Sequence, residues 1–421
     1  MSTERLVSVL GLGVLVGIAW LCSRHRRQIR WRPVVWGIAL QLLFAFLVLR
    51  TAPGRALFDF LNDAVIKLLS FQYAGAEFVF NALAIPPGQP GSLGFFFAFQ
   101  VLTTIIFFSS LISVLYYLGI MQWVVRGFAV VMKRFLGTSG AETLSASANI
   151  FVGQTEAPLL VKPYVKDMTD SELLCVMVGG MATVAGGVLA AYVGLLKAKV
   201  PDIAGHLLAA SVMSAPAALA VSKLMLPETG TPRTMGAVPP TARDGAVNVI
   251  EAAANGASMG LQLALNVGTM LVAFMALLAL ANWLLAEGVA LVSGAQGWTL
   301  ERLLGHAFAP LAWLMGVPWA DCAVVGNLIG QKTVLNEFVA YTNLAKLLEE
   351  GKVVLAERSV VIASYALCGF ANFLSIGIQI GGIGGIAPER RSDLARLGVR
   401  ALIGGSLAAF MTACIAGMLV G

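Results

Sequence analysis

Apolar stretches long enough to cross a membrane alternate with short polar breaks along almost the whole chain. About 20 predominantly apolar residues in a helix span the hydrocarbon core of a bilayer. Each stretch of this kind therefore predicts one transmembrane helix. Eight are predicted, with approximate bounds 6–22, 33–49, 93–120, 172–196, 206–226, 255–291, 359–386 and 401–420.

Arginine-rich segments orient these helices. Five arginines occupy residues 24–32, and four more lie within residues 390–400. Cytoplasmic loops of membrane proteins carry an excess of Lys and Arg, so both segments are predicted to be cytoplasmic and both termini to lie outside. The first group of arginines follows helix 6–22 instead of preceding it, which is the reverse of a signal peptide, so this helix is expected to be retained.

Three further segments have helical patterns that do not fit a simple span. Residues 56–84 interleave charged and apolar positions, which predicts an amphipathic helix lying in the membrane interface. Residues 137–164 and 320–344 are too polar to face lipid and too apolar to form loops. Irregular backbone at membrane depth is tolerated where protein or a water-filled cavity surrounds it. Both segments are therefore predicted to be re-entrant helical hairpins.

The two hairpins begin two copies of one pattern, which is hairpin, broken span, span. The copy in residues 137–228 starts inside, and the copy in residues 320–421 starts outside. This predicts an inverted repeat with its binding site where the breaks meet. Residues 1–136 then supply mainly scaffold helices with the interfacial helix, and residues 229–319 a cytoplasmic loop, a scaffold helix and an interfacial segment. The hairpins align through three pairs: Asn149 with Asn327, Gly153 with Gly330, and Gln154 with Gln331.

The predicted fold class is an all-α polytopic membrane protein, and composition agrees with it. The chain is 58% hydrophobic and 12% charged, with a mean hydropathy of +0.84, whereas soluble chains carry about 25% charged residues. The net charge of +6 comes from clustered loop residues, so it does not indicate nucleic-acid binding. The five cysteines lie far apart and no Cys or His cluster exists, so neither a disulfide framework nor a zinc site is predicted.

Polar residues inside the hairpins and the first broken span carry the candidate chemistry. Glu156 and Glu337 are ionisable groups at membrane depth, where such groups are costly and by default functional; if the two hairpins are instead loops, both carboxylates are surface groups. Asn149 either coordinates a small cation through its carbonyl oxygen or satisfies the broken backbone. Thr183 lies between two Gly-Gly pairs and either offers its hydroxyl to a ligand or bonds back to its own helix. Gln154 has an amide with donors and an acceptor, which suits a planar ligand rich in heteroatoms.

The second broken span is predicted to be interrupted at residues 369–375 and adds three candidates. Asn372 and Ser375 are three residues apart, so they share a helix face or, if the helix is unwound, a cleft. Phe370 either stacks on a flat ligand or packs against lipid or core.

One rival motif is G-x-S-G at residues 137–140, a pattern found around the nucleophile of intramembrane serine proteases. Such a serine, here Ser139, needs a histidine base within hydrogen-bond reach. The one candidate base is His206, at the edge of a different span. A pattern with two glycines is common in a chain with 45 of them, so a hydrolase is disfavoured and the protein is not expected to be an enzyme.

Five motifs, in order along nearly the whole chain, resemble the concentrative nucleoside transporters. They are Gly153-Gln154-Thr155-Glu156-Ala157-Pro158-Leu159, Ser214-Ala215-Pro216-Ala217-Ala218-Leu219 with Lys223-Leu224-Met225-Leu226-Pro227-Glu228, Asn336-Glu337-Phe338-Val339-Ala340-Tyr341, Cys368-Gly369-Phe370-Ala371-Asn372-Phe373, and Gln379-Ile380-Gly381-Gly382-Ile383-Gly384.

The resemblance implies a homotrimer in the bacterial inner membrane that imports nucleosides, for example uridine, by an elevator movement driven by a cation gradient, usually Na⁺. It implies that Gln154, Thr155 and Glu156 contact the base, with Val188 packed nearby. It also implies roles for residues of the second repeat and for an ion site. Glu337, Asn372 and Ser375 would hold the ribose with Phe370 lining the pocket, and the Asn149 and Thr183 side chains with the Val152 and Val184 carbonyls would bind Na⁺.

Two alternatives stay open at this stage. Some bacterial relatives use H⁺ in place of Na⁺, so a proton-coupled nucleoside symporter remains possible. A transporter of the same architecture for another polar solute is the other alternative. Base preference is not predicted, because Gln154 and Thr155 can hydrogen-bond several base edges.

Overall fold

The computed structural model describes residues 3–87, 89–239, 246–293, 299–350 and 354–420. These residues form α-helices, short 3₁₀ turns and irregular connections, with no β-strand among them, so the all-α prediction is confirmed. The helices of the first part of the chain are α1 (Thr3–Leu21), α2 (Trp31–Arg50), α3 (Ala52–Phe80), α4 (Phe97–Gln100), α5 (Leu102–Tyr117), α6 (Ile120–Leu136), α7 (Gly140–Ala148), α8 (Lys162–Val165), α9 (Asp170–Ala182), α10 (Gly186–Leu196) and α11 (Ile203–Met225). The helices of the second part are α12 (Val249–Ser293), α13 (Leu300–Leu314), α14 (Trp319–Val334), α15 (Glu337–Glu350), α16 (Glu357–Leu367), α17 (Phe373–Ile386) and α18 (Arg391–Leu419).

Seven helical segments of the described chain are long and apolar enough to cross a membrane. They are Thr3–Leu21, Trp31–Arg50, Phe97–Tyr117, Asp170–Leu196, Ile203–Met225, Val249–Gly288 and Pro388–Leu419. The eighth predicted span corresponds to α16 and α17, which have 11 and 14 residues and are too short to cross singly. Helix α12 has 45 residues and is therefore roughly 68 Å long, about twice the thickness of a hydrocarbon core.

Burial separates the spans into an inner and an outer set. The segments Asp170–Leu196 and Ile203–Met225 are 94% and 89% buried over their apolar windows, whereas Val249–Gly288 is 11% buried. Helix α12 packs closely on α5 through Gly256 and Gly260, where an added Cβ would lie within 2.9 Å of α5 atoms. Small residues allow such close helix contact inside a membrane.

The first predicted hairpin is present and consists of one helix with an irregular return. Helix α7 begins with a capping box formed by Ser139 and Glu142, which satisfies exposed amides of its first turn. The chain turns after Ala148 and returns through the 3₁₀ turn Ala157–Val161, which packs against α7, and through α8. Proline lacks an amide donor and is tolerated in the first turn of a helix. Pro158 lies in the first turn of Ala157–Val161, and Pro163 lies in the first turn of α8. The returning arm of the hairpin therefore consists of two short helical turns.

The second hairpin is longer and regular. Helices α14 and α15 are joined at Leu335 and Asn336. The side chain of Asn336 accepts a hydrogen bond of 2.9 Å from the Val339 amide and so caps the start of α15. Helix α14 is bent by 116° from the preceding α13.

Both predicted broken spans are broken, and the breaks touch each other. The first lies between α9 and α10 and the second between α16 and α17. The Phe370 amide donates to the Thr183 carbonyl at 3.3 Å. Gly369 has φ +127°, and a Cβ added there would lie 2.9 Å from the carbonyl oxygens of Met181 and Ala182. Only glycine combines this φ with such a close approach.

Several sequence-based boundaries are wrong. Residues 373–375 were expected within the second break, but they form the first turn of α17, because Asn372 caps that helix by accepting from the Ser375 amide at 2.9 Å. Helix α18 was expected to begin at residue 401, but it begins at Arg391. Arg396 in its second turn pairs with Asp170 and Asp393, and Arg390 at its N-cap pairs with the same two carboxylates, so these basic residues can lie at the start of a helix.

The alignment of the two hairpins through three residue pairs is also wrong. Asn149, Gly153 and Gln154 lie at the end of α7 and in the turn after it, whereas their proposed partners lie within α14. The two hairpin helices differ in length, because α7 has nine residues and α14 has 16. Residues of the same type therefore lie at different positions relative to the two hairpin turns. Gln331 in fact donates to Asn327 Oδ1 at 3.0 Å and accepts from Asn343 Nδ2 at 2.6 Å, which joins the two arms of the second hairpin.

The predicted cytoplasmic loop 227–244 contains no helix in the part that the structure describes, and its residues 240–244 lie outside the described residues. The predicted external segment 293–319 contains α13 and the start of α14. Its residues 294–298 lie outside the described residues.

Candidate functional site

A cavity of about 520 Å³ lies where the hairpin turns, the two breaks and α12 meet. All eight residues predicted to contact substrate line it: Gln154, Thr155, Glu156, Val188, Glu337, Phe370, Asn372 and Ser375. The structure therefore brings together residues that lie up to 221 positions apart in the chain, such as Gln154 and Ser375. Each hairpin contributes one carboxylate, and each broken span contributes residues beside its break.

Glu337 is held by donors from both broken spans. Its Oε2 accepts from Asn372 Nδ2 at 2.7 Å, and its Oε1 accepts from the Tyr192 hydroxyl at 3.1 Å. Glu337 also begins α15, and the positive end of a helix dipole favours a carboxylate. A carboxylate has about four acceptor sites, so two described donors leave capacity for hydroxyl groups of a ligand.

Tyr192 was not identified from the sequence. It is fully buried and packed between two aromatic rings, at 5.1 Å from the ring centre of Phe338 and 4.3 Å from that of Tyr341. The Tyr341 hydroxyl in turn donates to the Ser364 carbonyl at 2.6 Å. Tyr192 lies on α10 of the first repeat, so it joins that repeat to the second hairpin. No local sequence signal marks it, because its contacts are made across 145 residues.

Gln154 is held by two residues of α17. Its Nε2 donates to Ser375 Oγ at 3.1 Å, and its Oε1 accepts from Gln379 Nε2 at 3.1 Å. Gln379 also donates to the Met177 carbonyl at 2.9 Å. Ser375 and Gln379 are four residues apart, so they lie on one face of α17. Gln379 is part of a recognised motif but was not predicted to act at the site; here it orients the amide of Gln154.

Glu156 has an incomplete set of partners. Its Oε2 is buried and lacks a hydrogen-bond partner among the described residues, and it lies against Gly153. An unpartnered buried carboxylate oxygen is expensive, and Glu156 Oε2 therefore has acceptor capacity that no described residue uses. Thr155 beside it contacts Gly382 of α17 through its methyl group, at 2.6 Å from an added Cβ.

Several further residues line the cavity and were missed. Asn336 and Phe338 flank Glu337, and Gln262 and Asn266 lie on α12. The two α12 amides are four residues apart and face the cavity from the scaffold. A pair of amides at this spacing within residues 252–286, a run with no charged residue, is the signal that would have identified them.

The four residues predicted to bind Na⁺ lie at the first hairpin turn and the first break. Asn149 is fully buried, and its Nδ2 donates to the Ser145 carbonyl at 3.0 Å. Its Oδ1 has no hydrogen-bond partner in the described chain. Asn149 lies beside Gly179, since a Cβ added there would be 3.4 Å from Nδ2. The side-chain amide of Asn149 is therefore next to the last turns of α9, whose carbonyl end is electronegative.

Thr183 ends α9 and donates its hydroxyl to the Gly179 carbonyl at 2.9 Å, which leaves oxygen lone pairs for a cation. The hairpin turn is tied to the break by the Gly186 amide, which donates to the Phe151 carbonyl at 3.0 Å. Val152 and Val184 lie next to these tied residues, outside regular helix. An oxygen-only set of this kind fits a hard monovalent cation. The described residues contain no group of three His, Cys, Asp or Glu side chains that could hold another metal.

The serine hydrolase alternative is wrong. Ser139 caps α7, and its hydroxyl donates to Glu172 Oε1 at 2.5 Å. The proposed base, His206, instead faces the Tyr365 hydroxyl at 3.3 Å and packs edge-on against Phe58. Ser139 therefore has a structural partner and no histidine base.

Sequence profiles of known families cover most of the chain. Residues 206–417 match the Na⁺ dependent nucleoside transporter C-terminus, residues 10–83 match the Na⁺ dependent nucleoside transporter N-terminus, and residues 98–199 match a nucleoside recognition domain. Together the three profiles include every predicted site residue.

Full-length relatives agree with these matches. An uncharacterized transporter of Haemophilus influenzae is 48% identical over 99% of this chain and 98% of its own length. Sodium/nucleoside cotransporter 1 of Rattus norvegicus is 43% identical over 99% of this chain, which spans 64% of that longer protein. These relatives are transporters and not enzymes.

The solved transporter CNTnw has the same fold. Its inward-facing substrate-bound state superposes with a TM-score of 0.91 at 44% identity, covering 100% of this chain and 98% of that chain. A doubly substituted form in an outward-facing state also gives a TM-score of 0.91, at 43% identity with the same coverage. The fold is thus one for which inward- and outward-facing states are known. This chain is a multi-pass membrane protein and belongs to the concentrative nucleoside transporter family.

Proposed function

We propose that this protein imports nucleosides across the bacterial inner membrane by symport with Na⁺. One observation supports this most strongly. Eight side chains from two hairpins and two broken spans line a single cavity, and the first hairpin also carries Asn149, whose buried side-chain oxygen has no partner in the described chain. A polar solute and a cation can then be bound by the same hairpin turn.

The two carboxylates divide the substrate between them. Glu337 and Asn372 receive the ribose hydroxyls, with Ser375 beside them, because a carboxylate accepts two hydroxyl donors and an amide supplies both a donor and an acceptor. Gln154, Thr155 and Glu156 read the base, and the unpartnered Glu156 Oε2 accepts from a base N–H. Val188 and Phe370 supply apolar contact to the base plane.

Na⁺ binds before or with the nucleoside and orders the first hairpin turn. The ligands are Asn149 Oδ1, the Thr183 hydroxyl oxygen and the Val152 and Val184 carbonyls. Because residues 152–156 belong to the same turn, an ion at one end holds the base-reading side chains at the other. The coupling must be reciprocal, so nucleoside raises the affinity for Na⁺ as Na⁺ raises the affinity for nucleoside.

Transport proceeds by an elevator movement of the two repeats against the scaffold. The inner helices α9–α11 and α18 are largely buried and belong to the two repeats that carry the breaks, whereas α12 and the first helices form the outer set. On this proposal α5 and α12 line the path and stay fixed, and residues 137–228 and 320–421 move. The scaffold helices form a homotrimer, and both termini face the periplasm.

Uptake of radiolabelled uridine into proteoliposomes tests this function. An inward Na⁺ gradient at equal pH should drive uridine accumulation, and an inward H⁺ gradient without Na⁺ should not. Accumulation with H⁺ alone would favour a proton-coupled symporter, with the proton on Glu156. No uridine accumulation under either gradient would favour a transporter of another polar solute.

A further inference from the structure

We propose that the ammonium group of Lys332 is a permanently attached cation at the second break, in the place that corresponds to the Na⁺ site at the first break. The transporter then needs a free coupling ion in only one of its two repeats. This inference rests on the proposed Na⁺ site, and it assigns a role to a buried charge that the substrate site does not use.

Lys332 lies in the last turn of α14, just before the tip of the second hairpin. Its side chain is fully buried, and its Nζ donates to the Ala366 carbonyl at 2.9 Å. Ala366 is next to the last residue of α16. The last carbonyls of a helix lack intrahelical partners and carry partial negative charge. Lys332 Nζ also lies 5.6 Å from the ring centre of Phe410, which is within cation–π distance.

The first repeat has the same arrangement without the charged side chain. There the end of α7 lies against the end of α9, with Asn149 beside Gly179 and Thr183 closing the helix. Each hairpin helix therefore ends against the carbonyl end of a half-helix. In the second repeat a lysine ammonium occupies that junction. In the first repeat the junction holds an amide with a free oxygen, which is where a cation from solution binds.

Charge balance also supports a fixed cation in the second repeat and a bound ion in the first. Each hairpin carries one carboxylate at the cavity, Glu156 in the first and Glu337 in the second. Residues 140–161 contain no Lys, Arg or His. The buried Lys223 of α11 reaches this hairpin but pairs with Glu142 at 2.6 Å, so the compensating positive charge for Glu156 is assigned to a bound ion. The second hairpin has its own cation, Lys332, which lies five residues before Glu337 at the same hairpin tip.

This interaction is not a contact ion pair. No carboxylate of the described residues lies within 4.0 Å of Lys332, and its partner is the Ala366 carbonyl. An uncompensated charge buried in an apolar interior is strongly unfavourable. The Lys332 ammonium therefore has two roles: it compensates the negative charge of Glu337 without contacting it, and it donates to the carbonyl end of α16. Na⁺ is proposed to have the same two roles in the first repeat.

The test compares Na⁺ dependence in three variants of the full-length protein. Lys332→Gln keeps a donor that reaches toward Ala366 but removes the charge, Lys332→Arg keeps the charge, and Lys166→Met removes an exposed lysine as the control. The half-saturating Na⁺ concentration and the steepness of the Na⁺ curve are measured twice. One readout is uridine binding by titration calorimetry, and the other is the Na⁺-induced rise in Tm without nucleoside.

For Lys332→Gln, a second cation must now fill the second junction. The Na⁺ curve should become steeper, and its midpoint should rise by about tenfold, as expected for a loss of about 1.4 kcal/mol. Lys332→Arg and Lys166→Met should keep the wild-type curve. A folded Lys332→Gln protein with the wild-type midpoint and slope would overturn the inference and leave Lys332 as a core residue only.

Two further results keep the inference separate from the proposed function. If the Lys332→Gln protein does not fold, the ratio of Na⁺ flux to uridine flux in the wild type tests the inference instead. One Na⁺ ion per nucleoside is expected. Two ions per nucleoside would contradict a fixed cation in the second repeat. If the Tm of the wild type does not respond to Na⁺ at all, the proposed coupling ion is wrong and the inference fails with it. A wild type that responds, beside a Lys332→Gln protein that responds identically, refutes the inference alone.

Discussion

Replacing Glu337 with Gln removes the negative charge at the centre of the cavity while keeping the shape of the side chain. The glutamine oxygen can still accept from Asn372 Nδ2, now at 2.7 Å from Oε2. Its NH₂ group then faces the Tyr192 hydroxyl, which can turn to accept. The buried contacts can therefore persist, and the protein is expected to fold. What is lost is the charged acceptor for the ribose.

The size of the effect follows from that acceptor. A hydrogen bond to a charged group contributes about 1.5–3 kcal/mol, so the Kd for uridine should rise roughly ten- to 150-fold, at about 1.4 kcal/mol per tenfold. Calorimetric titration at saturating Na⁺ measures it, and uptake should fall in parallel. Glu349→Gln, an exposed change on the same helix, should leave the Kd unchanged.

A ligand change distinguishes loss of ribose binding from general damage. Uridine analogues without the 2′ or 3′ hydroxyl should bind the wild type more weakly, and should lose much less affinity in the Glu337→Gln variant, because the partner is already gone. The reasoning is refuted if Glu337→Gln binds uridine within about twofold of the wild type, which is below the effect of one charged hydrogen bond.

Other substitutions test neighbouring parts of the site. Asn149→Ala removes the buried free oxygen, so Na⁺ should no longer raise the Tm; a retained Na⁺ shift would remove Asn149 from the ion site. Tyr192→Phe deletes one donor to Glu337 and should weaken uridine binding about tenfold, and unchanged calorimetric affinity would argue against that role. Gly369→Ala forces a Cβ against the Ala182 carbonyl at positive φ and should cost about 1–3 kcal/mol; an unaltered Tm would contradict it.

The membrane fold could be predicted because its signals are local. Each signal describes the segment that contains it. Apolar runs predict spans, clustered arginines predict cytoplasmic segments, and polar residues within apolar sequence predict breaks and hairpins. The first break is an example. Thr183 between two Gly-Gly pairs marked it, and the structure ends α9 at Ala182 and starts α10 at Gly186.

The site could be predicted only in part, because its supporting residues are chosen by distant packing. In the sequence Tyr192 is indistinguishable from other residues of an apolar helix. Its role becomes visible only in the folded structure, where its hydroxyl donates to Glu337. Gln379 likewise acts through Gln154, a residue of the other repeat. The incorrect alignment of Asn149 with Asn327 has a related cause. Identical residues need not occupy equivalent positions in the two hairpins, because the two hairpin helices differ in length.

The coupling of nucleoside binding to Na⁺ binding is tested by the uridine affinity with and without Na⁺, because one hairpin turn is proposed to hold both ligands. Titration calorimetry in Na⁺ and in choline at equal ionic strength gives the two Kd values. Uridine should bind more tightly in Na⁺ by a factor of roughly 5–150, the usual range for coupled sites, and Na⁺ should bind more tightly by the same factor when uridine is added. Equal affinities in the two media would contradict it.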